Sequence, residues 1–311
     1  KFRGLVNQAH QVAENYFRPI SRKYDKAEHA YPKELDLLAA LLDGMNAGSP
    51  DVIGATSASK RGAAREQQEG IKNGGNLSAL LGVMELCWGD VGLLLAMPRQ
   101  GLGNAAIAAV ANDEQLKRFG GTWAAMAITE PGCGSDSAAI RTTAVKDGDH
   151  YVLNGEKIFV TSGERADAVV VWATLDKNLG RAAIKSFVVE HGTPGMTVTR
   201  LEKKLGIKAS DTASISFSDC RVPAANLLGN PEIDVQKGFA GVMETFDNTR
   251  PLVAGMAVGV AKASLDRTRE LLKKVCTLDY RKPLLSVSHA EAILYRLEAE
   301  WEAARLLCLK A

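Results

Sequence analysis

The stretch Ala127-Ile128-Thr129-Glu130-Pro131-Gly132-Cys133-Gly134-Ser135-Asp136 decides how the rest of the chain is read. The apolar run leading into it, Trp123 to Ile128, reads as a buried strand. The strand stops at Glu130-Pro131, because proline removes a ladder donor and fixes φ. Gly132 and Gly134 then allow positive φ and a close approach of backbone to a ligand. Thr129, Ser135 and free backbone N–H groups supply hydrogen-bond partners at the opening. A strand end of this kind spills into a small nest of donors, suited to an anion or the polar edge of a ring. Taken alone, the same residues also describe an ordinary Gly/Pro turn. The choice rests on what surrounds them.

Upstream, residues 1 to about 121 have a helical grammar. Phe2, Leu5, Val6, Ala9, Val12, Ala13, Tyr16 and Phe17 fall on one helical stripe. Pro32 and Pro50 bracket a second helix rich in leucine, and Asp51 to Gly75 is polar and Gly/Ser-rich, as a loop would be. Asn76 to Met97 reads as one apolar helix, and Asn104 to Phe119 as one or two more, ended by Gly120-Gly121.

Downstream of Thr122 the period changes to that of strands. Ile140 to Val145 and Tyr151 to Leu153 flank the turn Asp147-Gly148-Asp149, a hairpin signal. Asn154-Gly155 marks a further turn before Lys157 to Thr161. Ala168 to Thr174, Ile184 to Val189, Met196 to Leu201 and Ala213 to Phe217 follow, and Asp219 to Pro223 reads as a strand exit and turn. Short strands at this spacing make a β-barrel or a sandwich. From about Val235 the helical period returns, with Pro251 expected to kink or restart a long helix, and a last helix covers Ala290 to Ala311. The expected fold is therefore multi-domain α+β. It has an N-terminal helical domain over 1–121, a central β-barrel over 122–232 and a C-terminal helical bundle over 233–311. The two helical blocks are expected to pack together. No stop signal closes the last helix, so the bundle is expected to be incomplete.

Composition narrows the function. A net charge of +2 in 311 residues argues against a nucleic-acid surface, and no apolar run reaches membrane-spanning length. Cys87, Cys133, Cys220, Cys276 and Cys308 are scattered and odd in number, as reduced thiols of a cytoplasm or organelle matrix are. The histidines are too far apart for a metal site, and Gly132-Cys133-Gly134-Ser135 lacks the context of a nucleophile elbow.

A β-domain set between two helical blocks creates a cleft at their junction, the usual place for a ligand. Three stretches can face it: the quoted strand end, Phe159-Val160-Thr161, and Phe246-Asp247-Asn248-Thr249-Arg250. Asp247 and Arg250 stand at i, i+3 on one helix face, either as part of a site or as a surface ion pair. Phe159 is either core or a platform for a bound ring.

In order and spacing, these residues resemble the acyl-CoA dehydrogenase family of flavoenzymes. The resemblance is carried by Thr129-Glu130-Pro131-Gly132 with Gly134-Ser135-Asp136, and by Leu153-Asn154-Gly155-Glu156-Lys157 followed by Thr161. Pro194-Gly195-Met196, Arg221-Val222-Pro223 with Asn226-Leu227-Leu228-Gly229, and Phe246-Asp247 with Thr249-Arg250 complete it. The family's order is helical domain, β-barrel, four-helix bundle, the same α–β–α order read above.

The resemblance implies oxidation of an acyl-CoA thioester to the trans-2-enoyl-CoA. FAD takes the electrons and an electron-transfer flavoprotein removes them. It implies that Ala127, Ile128 and Thr129 meet the flavin ring, with Phe159, Val160 and Thr161 beside it and Gly134 and Ser135 at the same corner. Phe159 stands where the family often has tryptophan. Ser135 is also implied at the CoA, and Phe246, Asp247 and Arg250 at the substrate's pantetheine or adenine end. A homotetramer or dimer of dimers is implied, in a bacterial cytoplasm or a mitochondrial matrix. Two departures stand out. Where some members carry the catalytic glutamate this chain has Thr249, so the base is expected beyond Ala311. Leu278 to Pro283 lacks an aromatic-Gly pair that reaches a neighbouring subunit's FAD. Two alternatives share the fold: a partner subunit that does no chemistry itself, and a flavin oxidase that passes electrons to oxygen.

Overall fold

The computed structural model describes residues 2–47, 74–99, 102–234 and 240–311. The polar stretch read as a loop between the second and third helices lies almost wholly outside them. So do Pro50 and Gly101.

The N-terminal helices are α1 (Phe2–Val12), α2 (Arg18–Lys26), α3 (Glu34–Ala47), α4 (Gly74–Gly89), α5 (Val91–Ala96), α6 (Leu102–Val110) and α7 (Asp113–Phe119). A π-helical turn, Ala13–Phe17, joins α1 to α2. The Gly89 Cα packs so closely on Ala13 that a Cβ there would stand 2.9 Å from the Ala13 backbone. The apolar run expected as a single helix to Met97 is broken at Asp90. That residue is extended and its carboxylate accepts from Leu93 N, ending α4 and capping α5. α7 opens on a capping box between Asn112 and Gln115.

The strands are β1 (Ala124–Ala127), β2 (Thr143–Asp147), β3 (His150–Thr161), β4 (Ala168–Thr174), β5 (Ile184–Glu190), β6 (Met196–Leu201) and β7 (Thr212–Pro223). They form one seven-stranded sheet in the order β1-β4-β2-β3-β7-β6, with β5 added on β4. One curled sheet around one core replaces the sandwich alternative. Its interior holds Ala125, Ala127, Leu153, Val160, Val169, Val171, Phe187 and Ile215. The opposite face of β1, β4 and β5 carries Ala124, Ala168, Val170, Trp172 and Val188, which pack under Ala106 and Ile107 of α6. β4 is thus covered on both faces, which is why its sequence is an unbroken apolar run.

Two strands run longer than the sequence suggests. β3 passes straight through Asn154-Gly155, where a turn was expected. Gly155 sits at φ +152°, and the β3–β7 register shifts there. The glycine makes a bulge, and a Cβ on it would meet Thr142 Oγ1 at 2.5 Å. β7 continues to Pro223 through a left-handed Asp219, so Asp219 to Pro223 is strand and not exit.

Beyond the sheet come α8 (Ala240–Leu272) and α9 (His289–Lys310). α8 runs unbroken across Pro251. α9 starts at a capping box between Ser288 and Glu291. The helical blocks meet where Leu80 and Met84 of α4 pack on Val258 of α8, with Trp301 of α9 alongside. Among the described residues no helix is long and apolar enough to cross a membrane.

Candidate functional site

A cavity of about 630 Å³ lies between the sheet and α8. That volume is in the roughly 300–1,000 Å³ span of small-molecule clefts. Its walls come mainly from three parts of the chain, with Leu102 of α6 beside them.

The first wall is the outward face of β1 and the corner after it. Because strand side chains alternate, Ala125 and Ala127 enter the barrel core while Met126 and Ile128 face the cavity. Thr129 follows them on the wall. The chain then reverses in a tight turn, with Glu130 N donating to Cys133 O at 2.9 Å and Cys133 N to Glu130 O at 3.1 Å. Gly134 and Ser135 return to the wall. Neither Gly132 nor Gly134 has positive φ, contrary to the reading of the turn. At Gly134 a Cβ would meet only Thr129 Cγ2, at 3.8 Å, an ordinary contact.

The second wall is the end of β3, with Ile158, Phe159 and Thr161. The β3–β7 register shifts between Lys157 and Val160. At this bulge Phe159 takes φ +59°, a strained conformation for a bulky side chain. The result is a phenyl ring 60% exposed on the cavity wall, so Phe159 is not core. Val160 goes the other way, 1% exposed in the barrel interior. Any contact of Ala127 or Val160 with a ligand would run through their backbone. Ser162 is left-handed as well, so Thr161 sits one residue before a second backbone reversal.

The third wall is the start of α8. Met243, Phe246 and Arg250, at i, i+3 and i+7, share one helix face and line the cavity. Asp247 lies off that face. It forms the expected pair with Arg250 at 3.0 Å, with both side chains more than half exposed. Arg250 is therefore both things at once: a surface ion pair and the cation of the cavity wall. Its guanidinium also lies over the Phe246 ring, 5.5 Å from the centroid. Thr249 is buried and donates to the Thr245 and Phe246 carbonyls, turned away from the cavity. The side chain of Glu244 lies outside the described residues.

The first two walls are tied by a buried polar cluster. Ile158 N donates to Thr129 O at 2.9 Å. Lys157, fully buried, donates to Glu130 Oε1 at 2.7 Å and to Ile128 O at 3.1 Å. Glu130 also accepts from Arg141 N, Thr142 N and Thr142 Oγ1, at 2.6, 2.9 and 2.6 Å. Burial pushes the Glu130 carboxyl up, but the Lys157 ammonium and these hydrogen bonds outweigh it and hold the carboxyl below its ordinary value. Burial draws the Lys157 ammonium down, and Glu130 opposes that.

Sequence reasoning missed Met126, Ile158, Met243 and Leu102 on the cavity wall. It also missed the pairing of Glu130 with Lys157. A signal was there: a lysine in a strand whose neighbours are apolar needs a buried partner. Of the described residues lining the cavity, only Asp136, which is exposed, carries a carboxylate. The arrangement offers an apolar slot, an edge with hydroxyls of Thr129, Ser135 and Thr161, and one cation at the rim. It suits a flat ring and a ligand with a polar or anionic tail.

Residues 125–220 match the family model described as acyl-CoA dehydrogenase, middle domain, and residues 236–311 that described as acyl-CoA dehydrogenase, C-terminal domain. An acryloyl-CoA reductase (NADH) of Anaerotignum propionicum is 32% identical over 97% of this chain and 73% of its own length. A cyclohex-1-ene-1-carbonyl-CoA dehydrogenase of Syntrophus aciditrophicus (strain SB) is 39% identical over 64% of this chain, and the match spans 47% of that relative. The solved butyryl-CoA dehydrogenase of Megasphaera elsdenii superposes with a TM-score of 0.81 at 32% identity, covering 99% of this chain and 77% of that one.

Proposed function

The chain belongs to the acyl-CoA dehydrogenase family of FAD-dependent oxidoreductases, and we propose from that premise that it oxidises an acyl-CoA thioester to the trans-2-enoyl-CoA. The observation that supports this reading is convergence. The β1 corner, the β3 bulge and the α8 face line one cavity of about 630 Å³, with apolar walls, hydroxyls on one edge and a cation at the rim. Phe159, held left-handed and bared to the cavity, suits a ring-packing role that a core residue would not need. The residues present fit the cofactor on that ground.

When bound, FAD supplies the acceptor for the hydride leaving the substrate's Cβ. The chain's own residues do the rest. Ile128 and Phe159 cover the ring and keep water from it. Thr129 and Thr161 offer hydroxyls to its polar edge, and Ser135 to phosphate or CoA. Phe246 and Arg250 meet the CoA portion, with the guanidinium facing its anionic end, and Asp247 orients Arg250. None of the described residues lining the cavity is assigned the α-proton. A homotetramer, an electron-transfer flavoprotein as electron acceptor, and domain limits near 121 and 232 complete the proposal, and rest on the family and the element order.

The test is anaerobic mixing of FAD-loaded protein with butyryl-CoA. Bleaching of the yellow colour with formation of the enoyl-CoA is expected. A protein that takes up no flavin, or that no acyl-CoA reduces, contradicts the proposal. A second reading is favoured by the acryloyl-CoA reductase relative: the same hydride step run towards the saturated thioester. Re-oxidation of the reduced protein by an enoyl-CoA, with no reduction by the saturated acyl-CoA, selects that direction.

A further inference from the structure

Charged groups are costly inside a barrel, and this one holds a complete ion pair at its edge. Lys157 is 0% exposed and Glu130 6%. Replacing a buried ion pair by an apolar pair of similar volume is often neutral or stabilising. The pair therefore needs a reason beyond stability, and its connections supply one. Lys157 Nζ reaches both neighbours of Thr129, donating to the backbone carbonyl of Ile128 before it and to the side-chain carboxylate of Glu130 after it. Lys157 itself lies two residues before Phe159 and four before Thr161. Glu130 in turn holds Arg141 N and Thr142, the residue against which the Gly155 bulge closes. The corner wall and the bulge wall are thus fastened to each other by this pair as well as by the Ile158–Thr129 backbone bond, and the pair carries no net charge.

We propose that Glu130 and Lys157 are positioning residues for the flavin: together they set the spacing between the Ile128–Thr129 and Phe159–Thr161 walls and keep the floor behind them electrically neutral. This rests on the FAD reading above. Neither residue touches the cavity; each acts through the backbone it holds.

The test compares the parent with Glu130→Gln, Lys157→Met, Lys157→Arg and the double variant Glu130→Gln/Lys157→Met. FAD affinity is read by quenching of flavin fluorescence on the apoprotein, and the flavin midpoint potential is read on the loaded protein. Each neutralising single variant should weaken FAD binding by about tenfold or more, since one buried charge-assisted bond is lost and its partner stranded. The potential should rise in Glu130→Gln, which leaves an unpaired cation behind the ring, and fall in Lys157→Met, which leaves an anion. The double variant should return the potential towards the parent while the affinity stays weak. Lys157→Arg should recover part of the affinity. A merely structural pair would not give shifts of opposite sign. Should a single variant fail to fold, the double variant and Lys157→Arg still decide. If the parent binds FAD and every folded variant matches its affinity and potential, the positioning role is wrong. If the parent binds no FAD, the family-based reading and this inference fall together.

Discussion

The Ile158 amide donates to the Thr129 carbonyl across 2.9 Å, joining the end of β1 to the bulge of β3. The two residues are far apart in the chain, yet both line the same cavity. Their bond makes the corner and the bulge one wall. A change on either side is therefore felt at the other.

Phe159 is the most direct probe of that wall. Its φ of +59° stores strain that glycine would release. Because the ring is 60% exposed, little buried area is lost with it. Phe159→Gly should raise stability in a urea titration by up to about 1 kcal/mol, and weaken FAD binding. Phe159→Trp should keep FAD bound. Lower stability in Phe159→Gly, with FAD affinity unchanged, would show that the backbone is not strained and the ring has no ligand role.

Gly155 should not accept a side chain. Its φ of +152° disfavours one, and a Cβ would stand 2.5 Å from Thr142 Oγ1. Gly155→Ala should cost about 1–3 kcal/mol by overpacking, measured by urea unfolding. The shift of Thr142 should also loosen Glu130, so FAD affinity should fall with stability. An unperturbed Gly155→Ala would mean that β3 can close its bulge another way.

Acid should act through Glu130. Its folded carboxyl lies below its ordinary value, so the unfolded state takes up the proton first. The stability from the pair is complete above the unfolded carboxyl's value of about 4.3. It is lost as pH falls below that towards the lower folded value. Urea midpoints followed downwards from pH 6 should drop less in Glu130→Gln than in the parent. Parallel acid limbs would remove Glu130 from the titrating groups that matter.

Arg250 should divide substrate from cofactor. It lines the cavity from α8, and its guanidinium donates to Asp247 on the same helix. Arg250→Ala should weaken acyl-CoA binding by roughly tenfold, the loss of one charge-assisted contact, while FAD stays bound. Equilibrium titration of the loaded protein with an unreactive acyl-CoA analogue reads this directly. Unchanged affinity would return Arg250 to its role as the surface partner of Asp247.

Much of the fold was legible because burial and periodicity agreed. β4 reads as strand from its apolar run alone, since both of its faces are covered, and the last helix from the helical period of Ala290 to Ala311, while the Ser288–Glu291 capping box that starts α9 went unread. The breaks came where one residue overrode its neighbours. Asp90 ended a helix by capping the next one, and Gly155 carried β3 through a signal that usually marks a turn. At the site, Thr129, Ser135, Phe159, Thr161 and Arg250 stand out as types, and all of them reach the cavity. The alternation that turns Ala127 and Val160 inward depends on strand register, and the bulge at Phe159 shifts that register without any glycine or proline to announce it. The Glu130–Lys157 pair spans the β1 corner and β3, a contact no local pattern encodes.

The decisive measurement is titration of the apoprotein with FAD, followed by anaerobic butyryl-CoA, on the parent and on Phe159→Gly side by side. Stoichiometric flavin uptake, quenching that depends on Phe159 and bleaching of the visible band are predicted for a cavity that seats the ring between the β1 corner and the β3 bulge. A parent that leaves flavin free in solution, or binds it with no dependence on Phe159, would contradict that placement.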